Sequence, residues 1–154
     1  MAVNEKGLST LGITFGYGVG SSKPATFTQL DRIASIGELA VTPETIDISC
    51  LEDLTSVFTR GRGTISDNIP VVVNWEDETM EQWDDVLDDF NNRSSGESMW
   101  FEIIVPGMTK AAFFTADPPT ALPIPSIEQN GAFTNTINLV AKELKGWDTK
   151  VAFS

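Results

Sequence analysis

The chain of 154 residues is long enough for one domain, and it carries 22 acidic against 10 basic side chains, for a net charge of −12, with no histidine. This charge excludes the basic surface that tight, non-specific binding to nucleic acid requires, and the lack of histidine removes the commonest general base and metal ligand. Cys50 is the only cysteine, so an internal disulfide is impossible.

The N-terminus and the hydropathy pattern give no sign of export or membrane insertion. The stretch MAVNEKGLSTLGITF lacks the basic start and the continuous apolar core of a signal peptide. No apolar run approaches the roughly 20 residues that a membrane span needs. We therefore expect a chain that is synthesised in the cytoplasm and has no membrane partner.

Alternating apolar and polar residues predict strands in the first part of the chain. The pattern covers residues 12–18 and residues 26–39, with a break or bulge before Ile33. The stretch GYGVG, Gly16 to Gly20, lacks the lysine of a phosphate-binding loop, and no convincing helix follows it. We interpret this stretch as a flexible hairpin loop.

Residues 41–63 begin as a strand and then lose the alternation. In VTPETIDISC the apolar and polar residues alternate, and Cys50 has the same parity as Ile46 and Ile48. We therefore predict that Cys50 is a small buried hydrophobe rather than a nucleophile. The second half, LEDLTSVFTRGRG, carries apolar side chains among polar ones and has no obvious place in the core.

Residues 78–92 are predicted to form a helix. Apolar residues recur at spacings of three and four and form a stripe on one face: Met80, Trp83, Val86, Leu87 and Phe90. Thr79 followed by Gln82 fits a capping box, and Asp77 is an alternative N-cap. The opposite face is acidic, and a divalent cation could bind its carboxylates loosely. We interpret that face as solvated, because no calcium-loop pattern accompanies it.

Strands are predicted on both sides of the helix, over residues 69–75, 99–105, 109–117, 123–130, 132–144 and 149–154. Asn130-Gly131 is a hairpin turn signal. Long runs of strands with a single helix predict a mainly antiparallel β protein. We expect one domain, residues 1–154, built as a β-sandwich or half-barrel with the helix laid over an open side.

No combination of side chains predicts catalysis. A serine triad of the usual form needs histidine, and neighbouring carboxylates on a helix do not face each other across a cleft as glycoside hydrolysis requires. Four tryptophans could form a carbohydrate-binding platform, but core packing explains most of them better: Trp75, Trp83, Trp100 and Trp147. We predict no enzyme and no catalytic, cofactor or metal site.

Three stretches, taken in order, carry a family resemblance. They are LDRIASIGELAVTPETIDISCLED at 30–53, VNWEDETMEQWDDVLDDF at 73–90 and QNGAFTNTINLVAKEL at 129–144. They resemble the signature strand, the strand with an acidic helix and the late strand of the tail tube (major tail) proteins of long-tailed bacteriophages, especially siphophages. The signature positions are filled by Pro43, Glu44, Ile46, Asp47 and Leu51. The signature's usual glycine before Pro-Glu is displaced, and the nearest one is Gly37.

The resemblance implies a β-sandwich subunit with one flanking helix that assembles into hexameric rings. The rings would stack into a hollow tube in the virion tail, through which DNA passes without tight binding during genome delivery. It also implies three partners besides other copies of the chain: the tape measure protein in the lumen during assembly, the tail terminator and the tail-tip proteins. Unprotected strand edges fit this picture, because strands of neighbouring subunits could pair at those edges and form one closed barrel around the tube.

In this family the segment after the signature strand is a long loop that reaches neighbouring subunits. Residues 54–64 match its position, and the resemblance implies contacts there through Leu54, Thr55, Val57, Phe58, Arg60 and Arg62. A surface loop or an edge hairpin within one protomer is the alternative. The chain ends, residues 1–10 and 148–154, are expected to contribute ring-to-ring contacts.

Two other functions stay open. The first is a monomeric β-sandwich module that binds a ligand or carbohydrate through exposed tryptophans. The second is a tube protein of a contractile or secretion apparatus, which would share the fold and differ in having a sheath partner.

Overall fold

The computed structural model describes residues 12–127, 129 and 131–153, and these form nine β-strands and one α-helix. In chain order the elements are β1 (Thr14–Gly20), β2 (Thr28–Leu30), β3 (Ile33–Ile36), β4 (Val41–Asp47), β5 (Phe58–Ile65), β6 (Asn68–Asn74), α1 (Asp77–Asn91), β7 (Ser98–Ile104), β8 (Lys110–Asp117) and β9 (Thr134–Thr149). Every pair of named strands is antiparallel. The predicted fold class, mainly antiparallel β with a single helix, is confirmed.

Seven strands form one sheet in the order β2-β1-β7-β8-β9-β6-β3. Its edge strands, β2 and β3, are consecutive in the chain, with only Asp31 and Arg32 between them. Because successive Cα atoms are about 3.8 Å apart, the sheet must curl until its two edges approach each other. The break predicted before Ile33 is this connection, where Arg32 adopts a left-handed φ of 60°.

The main core lies inside the curl of the sheet and under α1. From the helix, Trp83 and Val86 are fully buried in it. From the strands it includes Phe15, Tyr17, Leu30, Ile69, Val71, Val73, Met99, Phe101, Phe114, Ala116, Ile137 and Leu139. The rings of Phe15, Phe101 and Phe114 stack with centroids between 5.3 and 6.3 Å apart. The apolar stripe predicted on the helix thus packs on the inner face of the sheet.

Helix α1 begins and ends slightly earlier than predicted, at Asp77 and Asn91. The predicted caps were wrong, because the N-cap is Glu76 rather than Thr79 or Asp77. Thr79 lies in the first turn, where its hydroxyl oxygen accepts a hydrogen bond of 2.9 Å from the backbone N–H of Glu76. The carboxylates on the opposite face are exposed, as expected for a solvated face.

Side chains tie the helix to the first edge of the sheet. The hydroxyl of Tyr17 donates a hydrogen bond of 2.8 Å to Asp89. Gln82 and Asp31 make two bonds, in which the amide of Gln82 donates to the carboxylate at 2.8 Å and its oxygen accepts from the Asp31 backbone at 3.0 Å. These contacts fix α1 over the strands that surround the main core.

Three of the strand assignments from sequence were wrong. Residues 16–20 belong to β1 and not to a hairpin loop. Residues 123–127 form no strand, and β9 continues to Thr149 instead of ending at residue 144 with a separate strand after it. Asn130, half of the predicted Asn130-Gly131 turn, lies outside the described residues.

Candidate assembly surface

Strands β4 and β5 form a separate two-stranded sheet, a hairpin that we call the arm (residues 41–65). Val41 pairs with Ile65 at its base and Asp47 with Phe58 at its far end. Below the base, Ser66 and Ala40 exchange hydrogen bonds, in which the Ser66 N–H donates to the Ala40 carbonyl at 3.0 Å. The arm is thus a continuation of the β3–β6 pair beyond the edge of the main sheet.

The predicted long loop at residues 54–64 is only partly a loop. Residues 48–57 connect the two strands of the arm, whereas residues 58–64 lie in strand β5. Of the residues predicted to contact a neighbour, Leu54, Thr55 and Val57 lie in the connection, and Phe58, Arg60 and Arg62 lie on the strand. The signature residues Pro43, Glu44, Ile46 and Asp47 lie on β4, and Leu51 lies in the connection.

Every residue from Val41 to Arg60 is exposed. The apolar ones are Val41, Ile46, Ile48, Leu51, Leu54, Val57 and Phe58, and among them Leu51 and Leu54 reach 107% and 102% relative accessibility. A two-stranded hairpin with both faces in water is marginally stable, and a concentration of exposed large apolar side chains marks an interaction site. The arm is the part of the described structure that most clearly lacks a partner of its own.

Short hydrogen bonds order the connection at the end of the arm, residues 48–57, which we call the tip. The Ser49 hydroxyl oxygen accepts from the Val57 backbone N–H at 2.6 Å, and the Asp53 carboxylate accepts from the Cys50 N–H at 2.7 Å. Hydrogen bonds from the side chain and backbone of Ser49 hold the pKa of Asp47 below its usual range. The tip therefore presents Leu51 and Leu54 on a locally defined backbone.

Cys50 lies at the tip and is exposed, so the prediction of a buried cysteine was wrong. That prediction relied on its shared parity with Ile46 and Ile48, but β4 is covered on neither face and all three side chains are exposed. The thiol is consequently a solvent-accessible reporter at the end of the arm.

Two glycines on β5 explain the GRG pattern of the sequence. A Cβ atom on Gly63 would lie 2.5 Å from Cγ1 of Val41, and one on Gly61 would lie 2.9 Å from Cδ1 of Ile46. Real Cβ atoms do not approach other atoms so closely. The side chains of Val41 and Ile46 therefore occupy the space over these two glycines, where they form part of the arm's apolar surface.

An apolar cleft of about 480 Å³ opens at the base of the arm. It is lined by Ile13, Phe15, Ile33, Ala34, Ser35, Ile36, Gly37 and Ile103. The cleft lies where the curled sheet is not closed, because β2 pairs with β1 only at residues 15–17 and β3 turns away to pair with β6. No lining side chain is charged. Sequence patterning missed this cleft, since the residues that line it come from three separate strands, β1, β3 and β7, and from positions just before β1 and just after β3.

The C-terminal segment lies on the outer face of the chain's own sheet. Val151 and Phe153 pack on a second apolar cluster that includes Phe27 and Phe113. The backbone N–H of Val151 also donates a hydrogen bond of 2.7 Å to the carboxylate of Glu102. A ring-to-ring role of residues 148–154 stays a prediction and would have to use their remaining exposed surface. Residues 1–10 lie outside the described residues.

The structure also bears on the metal site, the sugar-binding platform and the membrane span that were considered from the sequence. Within residues 12–127, 129 and 131–153, no group of three or more His, Cys, Asp or Glu side chains could hold a metal ion. Trp83 and Trp100 are buried as predicted, Trp75 is half-buried, and Trp147 is exposed. The tryptophans therefore form no shared platform for a sugar. In the same described ranges, no helix is long and apolar enough to cross a membrane.

Comparison with known proteins adds a likeness of fold. No family model matches the sequence, and no curated protein is detectably similar to it. Among solved structures, the chain is similar to a chain in the tail of an empty gene transfer agent (GTA) particle of C6 symmetry, with a TM-score of 0.57, 16% identity and coverage of 97% of this chain and 99% of that one. It is also similar to a chain in the virion of a native GTA particle, with a TM-score of 0.56, 17% identity and coverage of 96% and 99%. At this identity the likeness shows that the chain shares the fold of those proteins over nearly its whole length.

Proposed function

We propose that the protein is a tail tube protein, a structural and non-enzymatic subunit that assembles into stacked hexameric rings. The stack would form the hollow tail tube of a phage-like particle, with a bore through which DNA passes. The fold shared with chains of the GTA tail and virion supports this assignment, and so does the resemblance of the signature strand and acidic helix to siphophage tail tube proteins.

One observation carries the proposal: the arm exposes every residue from Val41 to Arg60, including seven large apolar side chains. Burying one such side chain contributes roughly 1.5–3 kcal/mol. These side chains are exposed in the monomer, whereas an assembly can bury them on a neighbouring copy. A repeated subunit with a protruding apolar arm is therefore suited to a polymer of identical copies.

The charge of the chain suits a conduit for DNA. A net charge of −12 repels phosphates, and basic residues that would hold them by releasing counterions are few. DNA would consequently move through the tube without being bound. The tape measure protein, the tail terminator and the tail-tip proteins are the further partners that this function requires.

Assembly and its dependence on the arm can be tested together. Negative-stain electron microscopy of the concentrated protein should show rings or tubes. The changes Leu51→Ser with Leu54→Ser, or Val57→Ser with Phe58→Ser, should abolish tubes and leave the circular dichroism spectrum of the monomer unchanged. The matched control is Ile124→Ser with Ile127→Ser, which removes two side chains that are 90% and 76% exposed outside the arm.

The outcomes separate the proposal from its rivals. A protein that stays monomeric at high concentration, also when added to tail extracts, would contradict the function. Arm variants that unfold would show that the arm stabilises the monomer and does not serve assembly. Labelling of Cys50 with a maleimide gives an independent readout, because the thiol is exposed in the monomer and should become protected in tubes.

A further inference from the structure

We propose that the tip of the arm inserts into the apolar cleft at the base of another copy's arm. The inference rests on the proposed function and deepens it, since it names the surface that receives the arm. It makes the arm and the cleft two halves of one interface that every copy carries.

The cleft has the properties of a receptor for an apolar segment. Its volume of about 480 Å³ lies within the range of roughly 300–1,000 Å³ typical of binding pockets. Four isoleucines and Phe15 line it at the gap in the curled sheet, where Phe15 belongs to the main core and Ile33, Ile36 and Ile103 are half-buried against that core. Among the described residues β3 pairs with β6 alone, and its outer edge borders this gap. A segment that enters the gap would cover core side chains and could also pair with that free edge.

The tip has the matching properties. Leu51 and Leu54 are the most exposed of the large apolar side chains in the described structure. Between them lie Glu52 and Asp53, while Arg32 lies at the rim of the cleft, directly before Ile33. The Arg32 side chain makes an exposed ion pair of 3.3 Å with Glu76, and such surface pairs contribute little. An apolar, uncharged cleft with a cation at its rim thus complements an apolar tip that carries two carboxylates.

Geometry requires that the tip and the cleft come from different copies. Gly37 lines the cleft and lies just before the arm, whereas the tip lies at the far end of a hairpin paired from Val41 to Asp47. At about 3.3 Å per residue, this paired part alone is about 20 Å long. The arm would have to fold back on itself to reach its own cleft. A contact between two different surfaces of identical copies is heterologous, and such contacts propagate into rings or open stacks.

A cysteine pair tests this contact directly. Ala34 is small, exposed and lines the cleft, and Cys50 is the sole native cysteine and adjoins Leu51. In the variant Ala34→Cys, oxidation of assembled tubes should join most subunits to their neighbours through Cys50, because a disulfide forms only when the Cα atoms come within about 7 Å. A ladder of covalent multimers on a non-reducing gel is the expected result. Ser95→Cys, at an exposed turn after α1, is the matched control and should give no ladder.

The possible results are distinct from those that test the proposed function. Intact tubes of the Ala34→Cys variant that show no ladder would overturn the inference and leave the tube function standing. A variant with Cys50→Ser and Ala34→Cys whose new thiol resists maleimide in the monomer would also overturn it, because the cleft would then be filled within one copy. If the wild-type chain forms no tubes, the proposed function fails and the inference fails with it.

Discussion

Phe153 lies over Gly16, so that its Cε1 atom is 2.3 Å from the position that a Cβ on Gly16 would occupy. The carbonyl oxygen of Thr28 lies 2.7 Å from the same position. Gly16 thus has no room for any side chain, because the C-terminal segment crosses β1 there. Residues near the two ends of the described chain thus meet at Gly16, on the outer face of the sheet.

Gly16→Ala should therefore destabilise the protein. An inserted methyl group in a packed site typically costs about 1–3 kcal/mol, and urea unfolding would measure it as a lower midpoint with an unchanged slope. The cost should shrink when Phe153→Ala is already present, since the ring is then absent. Strictly additive effects of the two changes would show that Phe153 does not cover Gly16 in solution.

Tyr17→Phe should loosen the helix from the sheet. The change removes the hydrogen bond that the hydroxyl donates to Asp89 and leaves the packing of the ring unchanged. Because the bond is only partly buried, we expect a loss of about 1 kcal/mol in the free energy of unfolding. Asp84→Asn, which changes an exposed carboxylate on the same helix, is the control and should have almost no effect. An unchanged free energy of unfolding in Tyr17→Phe would show that this bond does not stabilise the protein in solution.

The correct predictions from the sequence rest on patterns among residues that are close together in the chain. The spacing of Trp83 and Val86 places both on one helical face, and this depends on residues a few positions apart. The strand predicted over residues 132–144 is likewise present in β9, where Ile137 and Leu139 are fully buried. The break before Ile33 was also visible, because the alternation shifts there.

The errors have non-local causes. Gly16 and Gly18 were interpreted as loop residues because glycine favours loops, but their role is set by segments that approach them in space: Phe153 at Gly16, and Pro24 with Thr26 at Gly18. Cys50 was assigned to a buried face because alternation shows which side chains share a face and not whether anything covers it. The same limit applies to the arm. That β4 pairs with β5 alone among the described residues, and that both faces of this pair are exposed, depends on where all the other strands lie.

Glu102 should make stability depend on pH. Its side chain is fully buried on β7, one oxygen accepts from Val151, and the other has no hydrogen-bond partner among the described residues. Burial raises the pKa of this carboxyl, against a smaller opposite effect of the Val151 hydrogen bond and of Lys23. The folded state thus holds its proton to a higher pH than the unfolded state. The contribution of Glu102 to the free energy of unfolding is fully present below the ordinary glutamate pKa of about 4.3. It is lost as the pH rises through the raised pKa of the folded state.

Glu102→Gln should remove this dependence. The amide keeps an oxygen for Val151 and carries no charge, so the variant should be more stable than the wild type at pH 7. The difference should narrow as the pH falls toward about 4.3. Thermal unfolding at a series of pH values measures it, with Glu81→Gln on the exposed face of α1 as the control. A difference that stays constant with pH would show that Glu102 keeps the same charge in both states.

Tube growth should become faster as the salt concentration rises. Each copy carries a net charge of −12, so copies repel one another at low ionic strength, while an apolar arm contact is not weakened by salt. The Debye length falls from about 30 Å at 0.01 M to about 3 Å at 1 M, which screens the repulsion and leaves the burial of Leu51 and Leu54. Light scattering after dilution into buffers of increasing NaCl concentration measures the growth rate. If growth instead slows with salt, ion pairs dominate the contact, and removing their cations, by Arg32→Gln at the rim of the cleft or by Arg60→Gln with Arg62→Gln on the arm, should then abolish tubes at every salt concentration.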